Sequence, residues 1–203
     1  GSSLCKLSFN GNKIITSGAG GMILTNSNKL ARKARYLIAQ SKNHLKEFIH
    51  DEVGYNYRMA NINAAFALGQ AEKLDYFVSR KRDINNNYFN LLKDYKYLNI
   101  KTELKENRSS FWMVILTLDE KIFKTGAKEL RDYLEKNLIE ARPIWQPLYR
   151  QKAFKNALNF SHKNSEKLYK YSLCLPCSVN LDKETIIKIC TKIIEYCEKY
   201  IKE

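Results

Sequence analysis

With 203 residues, 44% of them hydrophobic, the chain can bury the core of one large domain or of one and a half small ones. It has no stretch long and apolar enough for a bilayer-spanning helix, and its five irregularly spaced cysteines fit a reducing compartment better than a disulfide framework. A formal charge of +14, from 35 Lys and Arg against 21 Asp and Glu, favours anionic ligands; the basic residues are dispersed over helix faces, which argues against a nucleic-acid stripe.

Leu4 to Phe9 and Gly21 to Thr25 read as strands. Between them lie a polar turn holding Lys13 and a step in which Gly18, Gly20 and Gly21 permit close backbone approach. Leu30 to Gln40 is helical, with Leu30, Ala34, Leu37 and Ile38 on one face. Ser41 to Asn61 is a long loop, a kind often functional, and Asn61 suits the N-cap of the next helix. From Ile62 to Tyr95 a helical pattern runs without a stop signal, with Ala64, Leu68, Ala71, Leu74 and Val78 as its apolar stripe. So long a helix bends or bridges two domains.

Ile100 to Glu103 and Ser110 to Leu118 read as strands, the second apolar enough to be central. Ala127 to Asn137 is a helix with Leu130, Tyr133 and Leu134 inward, and Asn164 to Tyr171 is a shorter one. Leu173 to Cys177 is a strand. Asp182 caps a last helix, Lys183 to Lys202, with Ile186, Ile189, Ile193, Ile194 and Cys197 inward. Cys174 and Cys177 form a CxxC, but Leu175 and Pro176 between them fit an apolar strand better than a zinc knuckle, so no metal site is expected.

Four strings carry chemical information. Ser8-Phe9-Asn10-Gly11-Asn12-Lys13-Ile14-Ile15-Thr16 sets one lysine in a polar turn beside β-branched residues. An amine sheltered there suits attack on a carbonyl, the opening of Schiff-base chemistry. His50-Asp51-Glu52-Val53-Gly54-Tyr55-Asn56-Tyr57-Arg58-Met59-Ala60-Asn61-Ile62 is a polar, aromatic loop before a helix; Arg58 suits an anion, or equally Asp51 or Glu52. Glu140-Ala141-Arg142-Pro143-Ile144-Trp145-Gln146-Pro147-Leu148-Tyr149 is stiffened by two prolines. In it the planar fork of Arg142 suits a diphosphate, and Trp145 offers a flat face for a sugar or base, or else anchors a buried loop. Cys174-Leu175-Pro176-Cys177-Ser178 reads as structural.

Together the four strings resemble the DegT/DnrJ/EryC1/StrS family of pyridoxal-phosphate sugar aminotransferases, nearest to members that aminate nucleotide-linked 4-keto-6-deoxy-hexosamines. The resemblance implies that Lys13 carries pyridoxal 5'-phosphate as an imine and that Ser8 binds the cofactor phosphate. It implies that Asn56 reaches the phosphate of the cofactor held by the neighbouring subunit, that Arg58 lines the site, and that Arg142 and Trp145 border the nucleotide sugar. Tyr149 stands where many relatives have histidine, so no role resting on that imidazole carries over.

The implied fold class is α/β, the C-terminal half of a fold-type I pyridoxal-phosphate aminotransferase. Residues 1–75 would be a remnant of the large cofactor domain with the start of a bridging helix; residues 76–203 would be a complete small α+β domain. The implied function is amination of C4 of a UDP-linked 4-keto-6-deoxy-N-acetylhexosamine with an amino-acid donor, glutamate in most relatives. This would take place in a cytoplasmic homodimer that serves bacterial glycan or nonulosonic-acid synthesis. Relatives are far longer, and their first half carries the acidic partner of the pyridine nitrogen and further phosphate ligands. The chain alone is therefore expected to be inactive and to bind the cofactor weakly. The alternative is a non-catalytic basic domain that binds a partner or nucleic acid; specific nucleic-acid binding is not expected.

Overall fold

The computed structural model describes residues 3–43, 47–158, 160 and 162–202. The chain divides into two compact units, Gly1–Phe77 and Val78–Glu203.

In the first unit, β1 (Cys5–Ser8) and β2 (Gly21–Leu24) pair antiparallel, with Cys5 opposite Leu24 and Ser8 opposite Gly21. Gly21 permits this approach, since a Cβ there would lie 2.5 Å from the Leu7 carbonyl oxygen. Helix α1 (Asn28–Ile38) starts on Ser27, whose hydroxyl accepts the Leu30 amide at 3.3 Å. Its expected inward face, Leu30, Ala34, Leu37 and Ile38, is half-buried.

The long helix expected from Ile62 to Tyr95 is two helices, α2 (Asn61–Ala71) and α3 (Leu74–Leu92). At the break the Lys73 amide donates to the Gln70 carbonyl at 3.1 Å, a three-residue reach that tightens the turn. Asn61 is not the cap. Ala60 occupies that position in extended backbone with no side-chain hydrogen bond, and Asn61 is the first helical residue. Nor is the apolar stripe of α2 inward: no residue of α2 is buried, and Leu68 is 62% exposed.

The second unit is a sheet with helices packed on it. Its strands β3 (Leu98–Ile100), β4 (Val114–Leu118), β5 (Arg142–Pro143) and β6 (Ser172–Leu175) lie in the order β3-β4-β6-β5, every neighbouring pair antiparallel. β4 is central as expected, but shorter than the predicted Ser110–Leu118, because Phe111 leaves extended geometry with φ 43°. Val114, Leu116 and Leu118 alternate into the core. Facing them are Ile84, Tyr88 and Leu92 of α3, Leu130 and Leu134 of α4 (Lys128–Lys136), and Ile186, Ile189, Ile193 and Cys197 of α6 (Lys183–Lys202). The spacing on each helix is that of one buried stripe. Tyr133 and Ile194 pack on this core only partly buried. A shorter helix, α5 (Lys163–Tyr171), precedes β6.

Asp182 caps α6 as expected, accepting the Thr185 amide at 2.6 Å, and that bond holds its carboxyl below the usual carboxylate range. Cys174, Cys190 and Cys197 are buried and serve packing. Burial pushes the thiols of Cys174 to about 11, and of Cys190 and Cys197 to about 12. Among the described residues, no group of His, Cys, Asp and Glu could hold a metal ion and no helix is long and apolar enough to cross a membrane.

Candidate active site

Lys13 closes a tight turn at the tip of the β1–β2 hairpin, its amide donating to the Asn10 carbonyl at 3.0 Å. The base of that tip is laced to the strand. The Phe9 amide donates to Gly20 O and the Ser17 amide to Phe9 O, both at 3.0 Å. The Thr16 hydroxyl also donates to Phe9 O, at 2.9 Å, and accepts the Gly18 amide at 2.8 Å. Asn63 of α2 donates its side-chain amide to Ser17 O at 2.6 Å, tying the helix to the hairpin. Phe9 and Ser17 are buried beneath, and Lys13 is half-buried. Ser8 ends β1 with an exposed hydroxyl that accepts the Asn10 amide at 3.4 Å. One rigid tip therefore presents a primary amine and a hydroxyl.

The loop after α1 folds back on that helix. The Tyr55 amide donates to Leu37 O at 2.7 Å, the Tyr57 amide to Ile38 O at 3.0 Å and the Gln40 amide to Tyr55 O at 3.1 Å. Gly54 is required here, because a Cβ would lie 2.4 Å from the backbone of Gln40 and Ser41. The rings of Tyr55 and Tyr57 stack with centroids 5.1 Å apart. In an extended segment that puts Asn56 on the opposite side, and it is exposed. Arg58 is exposed as well and lines a cleft of about 910 Å³ with Lys6 and Arg35, between the hairpin and α1. The alternative partners of Arg58 are engaged elsewhere: Asp51 accepts the Tyr36 hydroxyl at 3.2 Å, and Glu52 pairs with Lys33. Ser8, Lys13 and Asn56 do not line this cleft.

In the second unit, Arg142 lies on β5, largely exposed. Its Nε and a terminal nitrogen donate to one carboxylate oxygen of Glu140, at 2.8 and 2.5 Å, so an anion competes with Glu140 for that edge. Trp145 is 62% exposed, which removes the reading of a buried loop anchor. Its ring leans on Trp112 with centroids 5.5 Å apart and planes 35° apart. Trp112 lies in the stretch expected as plain strand, where no motif marks it; its only signal is that the chain has two tryptophans. Tyr149 stacks on His162 and donates its hydroxyl to Glu166, which also pairs with Arg150. Desolvation, then Glu166, pushes that phenol up, which fits a fastening role.

The model of the DegT/DnrJ/EryC1/StrS aminotransferase family matches residues 2–194. The chain belongs to this family. GDP-perosamine synthase of Escherichia coli O157:H7 is 35% identical over 192 residues, covering 93% of this chain and 50% of that protein. UDP-4-amino-4,6-dideoxy-N-acetyl-beta-L-altrosamine transaminase of Helicobacter pylori is 27% identical over 198 residues, covering 95% and 52%. Among solved structures, Helicobacter pylori PseC, an aminotransferase involved in the biosynthesis of pseudoaminic acid, superposes with a TM-score of 0.88 at 24% identity. That match covers 98% of this chain and 54% of that one. The fold is that of the fold-type I aminotransferases. The chain spans about half the length of the curated relatives it matches.

The hairpin residues fit the cofactor the family implies. Pyridoxal phosphate asks for an amine toward its aldehyde and for donors toward its phosphate, and the tip offers the Lys13 amine and the Ser8 hydroxyl.

Proposed function

We propose that this chain supplies the cofactor lysine and part of the substrate site of a pyridoxal-phosphate-dependent aminotransferase. Its substrate is the C4 ketone of a nucleotide-linked 4-keto-6-deoxy sugar. The observation that carries the reading is the family match over residues 2–194, with Lys13 at a tip braced on both sides. The bound cofactor supplies an electron sink for the donor's Cα. Lys13 would hold it through Nζ and, once displaced by the amino donor, would take the proton from the donor's Cα and move it to C4′ as a general acid/base. Ser8 donates a hydrogen bond to the phosphate. Asn56, on the side away from its stacked tyrosines, donates to a phosphate held by the other subunit of a homodimer. Arg58 and Arg142 offer positive charge to carboxylate or diphosphate, and Trp145 gives a flat apolar face.

A UDP-linked N-acetylhexosamine is the first reading of the sugar. One observation favours a GDP-linked sugar instead: the GDP-perosamine synthases are 34–36% identical, against 27% for the UDP-altrosamine transaminases. An amino-acid donor and a cytoplasmic setting complete the proposal.

The test is chemical. The protein is incubated with equimolar pyridoxal phosphate, reduced with borohydride, digested and mapped by mass spectrometry. Lys13 should carry the label ahead of every other lysine, and Lys13→Ala should lose it while keeping its far-UV circular dichroism. A label spread evenly over the lysines, or centred on another one, would sink the assignment.

A further inference from the structure

The two tryptophans of this chain lie side by side, and the segment that brings them together is held at several points. Trp112 follows Phe111, a bulky residue in the left-handed region at φ 43°. Side chains of that size persist there only where the surroundings over-determine the backbone. Here they do. Arg82 of α3 makes a two-pronged pair with Glu103, at 2.7 and 2.8 Å, and donates at 2.6 Å to the Ser109 carbonyl. Glu103 accepts the Ser109 amide in return, and the Ser109 hydroxyl accepts the Phe111 amide at 3.1 Å. The Arg82 guanidinium also lies 5.5 Å from the Phe111 ring centre.

One helical position earlier, Lys81 is buried to 8% exposure. Its ammonium donates to the Trp112 carbonyl at 3.3 Å and to the Cys177 carbonyl at 2.5 Å. Burying an ammonium is costly, and these carbonyls are what compensates it. Consecutive residues of α3 thus pin the loop before Trp112 and Trp112 itself. What they present is a half-buried indole under the mostly exposed indole of Trp145.

We infer that Trp112 is a positioning residue that orients Trp145 as a stacking platform for the planar base of a nucleoside diphosphate, with Arg82, Glu103 and Lys81 holding Trp112 in place. The inference rests on the nucleotide-sugar reading above and adds a base subsite to it. An exposed indole with solvent on both faces has no fixed orientation. Backed on one side by a second ring, it offers a single face, and a base has a matching flat surface.

The test uses the whole chain with UDP and GDP as probes. Affinity is measured by calorimetry, and the coupling of the two indoles is read as the exciton couplet in far-UV circular dichroism. The parent should show the couplet and bind at least one nucleotide. Trp145→Ala should abolish binding. Trp112→Leu and Arg82→Met should each weaken it about tenfold, the scale of one lost stacking contact. Arg82→Met should lose the couplet with its thermal transition retained, and Trp112→Phe should restore near-parent affinity. If Trp145→Ala abolishes binding while Trp112→Leu and Arg82→Met bind as the parent does, the positioning role falls and the nucleotide-sugar reading stands. If Trp145→Ala binds as tightly as the parent, or the parent binds neither nucleotide, the substrate site assigned to this unit falls and the inference falls with it.

Discussion

The two units carry the proposed site residues on opposite kinds of scaffold. In Val78–Glu203 the sheet and three helices close on a core whose central side chains, such as Leu116, Leu134 and Ile193, have no exposed surface. In Gly1–Phe77 no residue of β1, β2, α1 or α2 is buried, and Leu7, Met22, Ile23 and Leu24 are each more than 40% exposed. Yet the lysine hairpin is laced by hydrogen bonds over the single buried ring of Phe9. Local order around Lys13 does not require a closed hydrophobic core; a set of hydrogen bonds over one buried ring fixes the tip.

The sharpest way to break that comparison is to make the same cut in each unit. Leu116→Ala should cost about 2–5 kcal/mol, because the cavity it leaves lies in a closed core. Leu24→Ala, on a strand already 46% exposed, should cost within about 0.5 kcal/mol. Urea titration followed by tryptophan fluorescence reads the second unit alone, since Trp112 and Trp145 both lie there. Hydrogen exchange reads the first. Equal losses from the two substitutions would mean that the units are not energetically distinct.

A change at the site of the first unit should spare the fold and cost binding. Asn56→Ala removes an exposed amide held by no core contact. In the complete homodimeric enzyme, cofactor affinity should fall by about 1.5–3 kcal/mol, the worth of a hydrogen bond to a charged group, with the thermal transition unmoved. Mixing with Lys13→Ala subunits decides the subunit question. If Asn56 acts across the dimer, one site of the mixed dimer carries both defects and the other neither, so roughly half the binding capacity returns. If it acts within its own subunit, each site carries one defect and little returns.

A smaller effect is expected from a polar group inside the second core. The Tyr88 hydroxyl donates to the Pro176 carbonyl at 3.0 Å, and burial pushes the phenol far up. Tyr88→Phe should cost about 1 kcal/mol in urea titration, since the ring still fills its place. A loss as large as that of Leu116→Ala would show that this bond organises the core.

The same division governs how much of the molecule is legible in its sequence. The second unit is legible because a closed core leaves its mark on the chain: the stripes of α4 and α6 and the apolar run of β4 all stand in the sequence. The α2 stripe stands there too, but an apolar period says only that a face could be buried, and this one is not. The break at Glu72–Lys73 has no glycine or proline to announce it. The turn that holds Lys13 and Ser8 is legible because a turn between strands keeps its spacing in the chain. Trp112 is not, because its role comes from partners about 30 positions away, Lys81 and Trp145. Ionic knots such as Arg82–Glu103 leave no periodic trace.

Acid gives the finest cut, within the second unit. Arg82 first, then the Ser109 amide, hold the Glu103 carboxyl down to about 2. In the unfolded chain a glutamate titrates at about 4.3. The folded value is the lower one, so the unfolded state binds more protons through this interval. The stability contributed by Glu103 is therefore fully present above about pH 5 and is lost as pH falls toward 2. Glu103 is also the anchor of the loop that sets Trp112, whereas the apolar core carries no carboxylate. Acidification across that window should loosen the loop before the core. The indole couplet and the amide protection of residues 103–112 should decline while β4 and β6 stay protected. Glu103→Gln keeps an acceptor but removes the titration, so its couplet should be weaker at neutral pH and nearly flat from pH 5 to 2. A Glu103→Gln protein that still lost its couplet over the same interval would place the acid-sensitive group elsewhere.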